Sequence, residues 1–404
     1  MVAESLAKAS GLPDGWVTTT IGAEAVKVGS GSTPLGGYRV YRASGRPFVR
    51  SQNVGWGSLI LDDVAFIDDA THRTFPATEI REGDVLLNIT GASIGRSSVA
   101  DARIAGGNVN QHVCIIRIGP ALDPHYVSAF LLSEPGQRQV DAFQAGGNRQ
   151  GLNFQQIRTF EIPCPPLEEQ RAIAGILEDA ARSVRGLVAL VSKKRDLRDA
   201  LATCLLRGEV HLVPDAEPWE PVRLGSVCEI TMGRTPDRAE PRLWGRGHTW
   251  LTIADMRSKY VYDSAEQITD LAAKGIRVIP AGTLLMSFKL TIGRVAFTGR
   301  DLYTNEAICA LRSPTVNPDY LYQALPRIDF AAFGQQAVKG VTLNKESLNA
   351  IELVLPSPTE RDAIARVLAE ADGEIDVLER NVAKAKDLAA GLAQELLSGR
   401  TRLA

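Results

Sequence analysis

The chain has 404 residues, of which 45% are hydrophobic and 23% are charged, and its formal net charge is −2 at pH 7. This composition excludes a disordered or fibrous protein, and the length indicates two or three globular domains. The nearly neutral charge excludes a uniformly basic nucleic-acid-binding protein, so a surface that binds DNA has to be local. No stretch approaches the roughly 18 apolar residues of a membrane span, and residues 1–10 lack an apolar signal core. We therefore expect a cytoplasmic protein without a membrane partner.

Residues 1–164 form the first predicted domain. Short β-branched runs separated by glycines, such as residues 84–90 and 113–118, predict a mainly-β fold with a few helices. Arginines alternate with aromatic residues in its first half, and three loops are rich in amide side chains. A guanidinium group can bind phosphate or the edge of guanine, and an amide can bind adenine. The arginine clusters could equally be solvated surface, and the amide-rich loops could equally be turns. The candidate DNA-binding residues are Arg39, Arg42, Arg46, Gln52, Asn53, Arg96, Asn110, Asn148 and Arg149.

Residues 165–213 form a central helical region. A proline-rich break at residues 163–166 precedes it, and Gly208 supplies a C-terminal stop. At 1.5 Å per residue, a helix from Glu169 to Arg207 would be about 58 Å long.

Residues 214–356 form the second predicted domain, with the same kind of short strands and glycine turns. Its basic residues are again mostly arginines and again lie among aromatic residues, here Trp244 and Trp250, although nearby acids dilute the charge. The candidate DNA-binding residues are Arg234, Arg238, Arg242, Arg246, Lys289, Arg294 and Lys339.

Residues 357–404 form a second helical region, which again follows prolines and ends at a glycine. Apolar residues recur at alternating spacings of three and four in both helical regions, the pattern of a coiled coil. The predicted seam residues are Ile173, Leu177, Val184, Leu187, Val191, Leu201, Ile364, Leu368, Ile375, Leu378, Val382 and Leu392. The simplest arrangement is an antiparallel pair, although two such helices could merely staple two domains together. Because Lys194 and Arg198 align with Ala385 and Ala389, we expect long cations opposite small residues at the centre of the seam.

An internal repeat spans nearly the whole chain. The residues from Pro165 to Leu177 recur from Pro356 to Leu368 at a spacing of 191 positions (356 − 165), and the register persists through both helical regions. The upstream halves match more loosely, with landmarks such as Trp16 and Trp219 in the same order. Such self-similarity indicates a duplicated unit. The predicted fold class is therefore α+β, with two tandem mainly-β domains separated and followed by two long helices.

The candidate catalytic motifs all have simpler explanations. Residues 317–320, Asn-Pro-Asp-Tyr, are close to the tetrapeptide with which amino methyltransferases hold a flipped base. Their repeat partner at residues 123–126 also precedes an apolar helical run, so an N-cap followed by proline explains both. The sequence has no glycine-rich cofactor loop, metal-ligand spacing or C-x-x-C pair. We expect a non-catalytic chain with free cysteines, no metal site and no cofactor of its own.

Residues 165–174, Pro-Pro-Leu-Glu-Glu-Gln-Arg-Ala-Ile-Ala, resemble the helix start of one family, the specificity subunits of type I restriction-modification systems. The second copy departs from that pattern, since Arg361 stands where the first has Gln170. With the repeat and the paired helices, the resemblance covers nearly the whole chain. It implies two target-recognition domains, each contacting one half of a split, asymmetric DNA site, and an antiparallel coiled coil that fixes the spacing.

The resemblance also implies the partners. Double-stranded DNA and two modification subunits, which are methyltransferases, would bind this chain. Restriction subunits, which are ATP-dependent translocases with nuclease activity, would join the same complex. S-adenosylmethionine, ATP and Mg²⁺ would bind to those partner subunits and not to this chain.

Two other functions stay open at this point. A self-contained DNA methyltransferase or nuclease would show itself through binding of S-adenosylmethionine by the isolated chain. A scaffold with two protein-binding domains on a helical stalk would act independently of DNA and would be insensitive to salt.

Overall fold

The computed structural model describes residues 12–144, 151–214, 218–333, 335–337 and 340–403. Contacts divide the chain into two compact units, Met1–Ala189 with Glu379–Ala404, and Leu190–Leu378. Each predicted β-rich domain lies within one unit, whereas each long helix contributes to both. The α+β class with two tandem domains and two long helices is confirmed.

The first unit contains a β-rich domain with short helices. Its strands are β1 (Val17–Thr20), β2 (Ala25–Ser30), β3 (Arg46–Val49), β4 (Ala65–Ile67), β5 (Val85–Asn88), β6 (Ser97–Val99), β7 (Asn108–Val109), β8 (Val113–Ile118) and β9 (Glu161–Cys164). Its short α-helices are α1 (Ile21–Glu24), α2 (Asp69–His72), α3 (Pro124–Leu132), α4 (Glu134–Ala142) and α5 (Phe154–Arg158).

The main sheet of this domain has the strand order β2-β8-β5-β6, with neighbouring strands antiparallel. Strand β5 is apolar over successive residues because both of its faces are buried: Val85 and Leu87 enter one core and Leu86 enters another. A second sheet has the order β4-β3-β7, and β1 pairs with β9. The β1–β9 pair brings the two ends of the domain together beside the start of the long helix α6 (Leu167–Leu206).

The second unit contains the other β-rich domain. Its strands are β10 (Glu220–Arg223), β11 (Glu229–Met232), β12 (Trp244–Leu251), β13 (Tyr260–Val261), β14 (Glu266–Ile268), β15 (Leu284–Ser287), β16 (Val295–Thr298), β17 (Tyr303–Thr304), β18 (Ile308–Arg312), β19 (Gln335–Ala337), β20 (Gly340–Thr342) and β21 (Glu352–Leu355). Its short α-helices are α7 (Leu224–Val227), α8 (Asp270–Ala273), α9 (Pro318–Ala324) and α10 (Lys345–Ala350), and the long helix α11 (Pro358–Leu397) follows.

The second domain repeats the strand order of the first. Its main sheet runs β11-β18-β15-β16 with β13 added beside β16, its second sheet runs β14-β12-β17, and β10 pairs with β21. Leu284 and Met286 face one core and Leu285 faces another, as in β5. The repeat in the sequence is therefore a repeat of topology.

All of the predicted seam residues are buried or half-buried along the two long helices, which have 40 residues each. The most deeply buried seam residues are Ile173, Val191, Ile364, Leu368 and Ile375. The remaining predicted seam residues are half-buried: Leu177, Val184, Leu187, Leu201, Leu378, Val382 and Leu392.

The two helices are antiparallel within each unit. In the first unit, Ile173 near the start of α6 shares a core with Leu396 near the end of α11. In the second unit, Leu205 near the end of α6 shares a core with Ile364 near the start of α11. Each unit thus contains the beginning of one helix and the end of the other.

The expected pairing of long cations with alanines is wrong. Within the second unit, Arg198 Nε donates to Asp372 Oδ1 at 2.7 Å, and Lys194 Nζ lies 2.7 Å from Glu374 Oε2. The antiparallel direction places acids of α11 beside these cations. Burial opposes the charge of Arg198, but its bonds to Asp372 raise its pKa.

A buried carboxylate fastens the first domain to the ends of both helices. Glu169, in the first turn of α6, accepts hydrogen bonds from Trp16 Nε1 at 3.1 Å and from Arg402 Nε and Nη2 at 2.7 and 2.9 Å. Trp16 precedes β1 and Arg402 follows α11, so three segments meet at one side chain. Burial opposes the charge of Glu169, but the hydrogen bonds from Arg402 and Trp16 hold its pKa below the ordinary value.

Replacing Glu169 with alanine is expected to lower the free energy of unfolding by about 1–3 kcal/mol, because the buried indole N–H of Trp16 loses its acceptor. Urea unfolding followed by tryptophan fluorescence measures this change. As pH falls through the lowered pKa of Glu169, the carboxylate is protonated, so the difference between wild type and Glu169→Ala should shrink.

Glu168 supplies the matched control, since it lies in the same helical turn and is exposed. Glu168→Ala should change the free energy of unfolding by less than about 0.5 kcal/mol. Equal stability of the two variants at pH 7 would contradict the role assigned to Glu169.

Candidate nucleic-acid interface

In the first domain, an arginine and two aromatic rings form the centre of the predicted basic cluster. The rings of Tyr41 and Phe48 lie 5.7 Å apart, and the guanidinium of Arg50 lies 5.6 Å from the centroid of Tyr41. Arg50 Nη2 also donates to the carbonyl oxygen of Asp63 at 2.6 Å. The cation is held in place before any ligand binds, which reduces the entropy lost on binding.

The predicted DNA-binding arginines of the same segment are partly paired with acids. Arg42 Nη2 lies 3.5 Å from Asp68, and Arg46 Nε lies 2.8 Å from Asp69, whose pKa is lowered by the hydrogen bond from Arg46. The side chains of Arg42 and Arg46 remain 50% and 43% exposed, and Arg39 is exposed as well. Both guanidinium groups therefore remain accessible at the surface, while the carboxylates neutralise part of their charge.

The two amides predicted to read bases after β3 have different surroundings. Gln52 is exposed and hydrogen-bonded to Asp63. Asn53 is fully buried, its oxygen accepts from Arg50 N at 3.0 Å, and its nitrogen donates to Ile60 O at 2.9 Å. The prediction of a base contact by Asn53 is therefore corrected, because its amide is used inside the domain to shape a turn.

The remaining predicted residues of the first domain add little to an exposed surface. Asn110 is buried and its oxygen accepts from His112 N at 3.0 Å, so it too is an internal turn former. Arg96 is half-buried, and its Nε has no hydrogen-bond partner among the described residues. Asn148 and Arg149 lie outside the described residues.

In the second domain, two tryptophans take the place of the tyrosine and phenylalanine. The rings of Trp244 and Trp250 lie 4.9 Å apart at 85°. The guanidinium of Arg238 lies 3.8 Å from the centroid of Trp244 and donates to both oxygens of Glu266, at 2.6 and 2.9 Å. These hydrogen bonds raise the pKa of Arg238. Arg238 is thus held against an aromatic face, as Arg50 is in the first domain.

The pair formed by Arg46 and Asp69 also has a counterpart. His248 Nε2 lies 2.8 Å from Asp270 Oδ1. Arg46 and His248 each stand two positions before the buried aromatic residue of their strand. The two domains therefore have the same backbone arrangement here and differ in the side chain that is paired with the aspartate.

Two predicted arginines near β12 differ in how free they are. Arg242 donates from Nε and Nη2 to Glu240, both at 3.0 Å. Arg246 is exposed at an irregularity of β12, between Gly245 and Gly247, and has no hydrogen-bond or ion-pair partner in the part of the chain that the structure describes. Arg246 is the more available of the two for a phosphate.

The other predicted residues of the second domain are tied to backbone or lie in turns. Exposed Arg234 donates to Gly275 O at 3.3 Å, and exposed Arg294 donates to Ile253 O at 3.1 Å. Lys289 is half-buried in the turn after β15. Lys339 lies outside the described residues.

Leu290 was not predicted and has an unusual conformation. It is 73% exposed, and its φ of 62° is the one positive value of a non-glycine residue in the described ranges. Left-handed backbone costs such a residue about 1–2 kcal/mol. Gly91, with φ of 73°, occupies the corresponding turn of the first domain. The repeat alignment pairs these positions, but neither residue type in itself suggests a site.

Each domain also has a threonine bonded to an exposed side chain in the turn before β8 or β18. Thr33 bonds to Gln111 in the first domain, and Thr235 bonds to Glu306 in the second. Sequence reasoning selected the loop that contains Gln111 but chose Asn110 from it. Glu306 was missed because an acid does not fit a search for basic residues.

The tetrapeptide at residues 317–320 has the predicted structural role. Asn317 caps α9 by accepting from Asp319 N at 2.9 Å, and Tyr320 is 1% exposed. In the first domain, Asp123 caps α3 by accepting from His125 N at 2.9 Å. A buried tyrosine has no face free to stack on a base.

Among the described residues, no three His, Cys, Asp or Glu side chains are grouped so that they could hold a metal ion. Over the same ranges, no helix has both the length and the apolar composition needed to cross a membrane. Burial raises the pKa of Cys114 and Cys309 to about 12, which makes these thiols unreactive.

The chain matches the profile of the type I restriction modification DNA specificity domain twice, over residues 47–185 and 216–385. It is similar to the MjaIX type I restriction enzyme specificity subunit of Methanocaldococcus jannaschii, with 29% identity over 187 residues that cover 44% of this chain and 42% of that protein. The EcoKI specificity subunit of Escherichia coli is 20% identical over 391 residues, 87% of this chain and 81% of that protein. A solved chain of a type I restriction-modification system has the same fold, with a TM-score of 0.61, 21% identity and coverage of 96% of this chain and 98% of that one.

Arg246→Ala is expected to weaken the binding of duplex DNA and to reduce the slope of log affinity against log salt by about one, because an unpaired arginine can displace a counterion from phosphate. Arg242→Ala is the matched control, since Glu240 already occupies that guanidinium. Its slope should change by less than half as much. Fluorescence anisotropy across a salt series measures both slopes, and an unchanged slope for Arg246→Ala would show that Arg246 meets no phosphate.

Proposed function

Because the chain belongs to the family of type I restriction-modification DNA specificity proteins, we propose that its two domains each read one half of a bipartite, asymmetric DNA site. The chain is a specificity subunit, the non-catalytic recognition component of a restriction-modification complex. Methyl transfer at the site that it selects takes place on a partner subunit.

One observation carries this proposal: two domains with the same strand order present different side chains at equivalent places. Arg46 corresponds to His248, and Gly91 corresponds to Leu290. Phosphate contacts position a protein on DNA, whereas side chains at base edges select the sequence. A shared frame with two different sets of side chains suits two different half-sites.

The long helices are proposed to set the distance between the half-sites. Each has 40 residues, and an α-helix advances 1.5 Å per residue. The apolar seam and ion pairs such as that between Arg198 and Asp372 stiffen the pair. A change in helix length would therefore move the reading domains along the duplex.

The outer faces of the helices are proposed to dock two modification subunits, one for each repeat. Exposed apolar side chains of the two long helices include Ile176 and Val188 in the first unit and Leu190, Leu197 and Val377 in the second. Covering such side chains would contribute apolar burial to docking. S-adenosylmethionine would bind to the modification subunits, and ATP and Mg²⁺ to restriction subunits of the same complex.

A methylation map tests this function. A randomised pool of duplex DNA is incubated with S-adenosylmethionine and this chain, the partner methyltransferase subunit, or both. Methylation only with both proteins, at one split asymmetric motif, is expected. Methylation by this chain alone would make it an enzyme, and no methylation in any mixture would favour a protein scaffold.

Matched insertion of one heptad in both helices, between Leu187 and Val191 and between Leu378 and Val382, is expected to lengthen the spacer by about three base pairs. Seven residues add about 10.5 Å of helix, and base pairs are about 3.4 Å apart. Insertion of four residues at the same places is the control, because it rotates the apolar stripe and should destabilise the seam. A folded heptad variant that still methylates sites with the original spacer length would refute the proposal that the helices set the distance between the half-sites.

A further inference from the structure

Two turns lie side by side at one end of the main sheet in each domain. One turn follows β5 or β15, and the other precedes β8 or β18. The same backbone hydrogen bond joins them: Ile89 N donates to His112 O at 3.0 Å in the first domain, and Phe288 N donates to Ala307 O at 2.9 Å in the second. The two domains therefore present the same backbone surface here.

An asparagine shapes the turn before β8 and before β18. The side-chain oxygens of Asn110 and Asn305 accept from the N–H two residues later, at 3.0 and 3.1 Å. The residue between these two positions is exposed in both domains, as Gln111 and Glu306. The asparagine is thus structural, and its neighbour is the side chain presented to solvent.

The presented side chains are held by equivalent bonds and differ in chemistry. Thr33 bonds to Gln111, and Thr235 bonds to Glu306. Glutamine and glutamate have the same shape, but the amide nitrogen of Gln111 also lies 3.0 Å from His112 Nε2, where the second domain has Ala307. An amide both donates and accepts hydrogen bonds, whereas a carboxylate only accepts.

Glu306 has an acceptor that the fold does not use. Its Oε2 bonds to Thr235, and within the described residues it forms no ion pair shorter than 4.0 Å. The guanidinium of Arg238 is taken by Glu266. The hydrogen bond from Thr235, together with the charges of Lys289 and Arg238, lowers the pKa of Glu306, so the group is ionised at neutral pH although partial burial opposes this.

A carboxylate on a DNA-reading surface has few favourable partners. Phosphate oxygens and the N7 and O6 acceptors of purines repel it, whereas the N4 amino group of cytosine donates to it in the major groove. An amide instead forms two hydrogen bonds with the N6 and N7 atoms of adenine. The two side chains are therefore suited to different bases.

We propose that Gln111 and Glu306 are equivalent base-reading residues, Gln111 recognising adenine and Glu306 recognising cytosine in the major groove. This assignment rests on the proposed function and names the specificity-determining position within each domain. It also explains why the backbone hydrogen bonds around Gln111 and Glu306 are the same while one side chain is an amide and the other a carboxylate.

The test exchanges the two chemistries in Gln111→Glu and Glu306→Gln. Each variant is assembled with the partner methyltransferase, and the methylated sites are mapped on a randomised duplex pool. Glu306→Gln is expected to change one cytosine of one half-site to adenine, with a preference shift of about ten-fold to a hundred-fold. Gln111→Glu should cause the reverse change in the other half-site. The unaltered half-site reports that each complex is intact.

Gln155→Glu and Glu346→Gln are the matched controls. These exposed residues stand at equivalent places in α5 and α10 and carry the same two side chains. Neither control should alter the motif. An unchanged motif in both Gln111→Glu and Glu306→Gln would overturn the assignment, and so would an equal shift in the controls.

A variant that methylates nothing is tested for binding to duplexes carrying each of the four bases at every position of the half-site. Loss of discrimination at one position supports the assignment, and retained discrimination at all positions overturns it. Failure of the unaltered complex to methylate a split site would refute the proposed function instead.

Discussion

Two 40-residue helices with one apolar stripe each are stable only when the stripes cover each other, and this requirement organises both units. Within each unit the start of one helix lies against the end of the other. The segment that leaves a helix therefore returns to the place where the other helix begins. In the first unit Arg402, after α11, reaches Glu169 at the start of α6. In the second, His211, after α6, reaches Glu360 at the start of α11, with 2.8 Å between Nδ1 and Oε1.

The same junctions explain the two glycines that end the helices. Gly399 and Gly208 have φ values of 73° and 68°, which glycine adopts without strain. A Cβ atom at Gly399 would lie 2.4 Å from Pro13, and one at Gly208 would lie 3.3 Å from the ring of Trp219. The chain has to reverse at these points and pack closely against the domain, so the glycines serve both the helix end and the junction.

Periodicity and repetition could be read from the sequence because they come from many residues at once. The repeat from Pro165 and Pro356 predicted the duplicated topology, and the seam from Ile173 to Leu392 predicted which helix faces are covered. Individual polar contacts were harder to predict from the sequence. Asn53 belongs to a type that can read bases or shape turns, and only its burial decides between the two. The partner of Arg198 depends on the register between helices, which no local pattern contains.

The candidate site illustrates the same limit. Arg238 and its aromatic neighbours were found because arginines cluster among aromatic residues in the chain. Glu306 was not, since its role depends on Thr235 and on the charges around it, which come from other segments. Sequence patterns selected the loop that contains Gln111 as a candidate, but not Gln111 itself. Which side chain of that loop points outward was set by hydrogen bonds that cross the sheet.

Both faces of strands β5 and β15 are buried, so the apolar contacts that stabilise each domain come from these strands and not from the turns that follow them. In evolutionary terms, the turns that end these strands can accumulate substitutions without disturbing the buried strands, and even the strained Leu290 is accommodated where the first domain has Gly91. Duplication then gives the gene two such surfaces that can drift independently. Under the proposed function, a lineage with this architecture would acquire a new recognition sequence by altering one copy while the other preserves the old half-site.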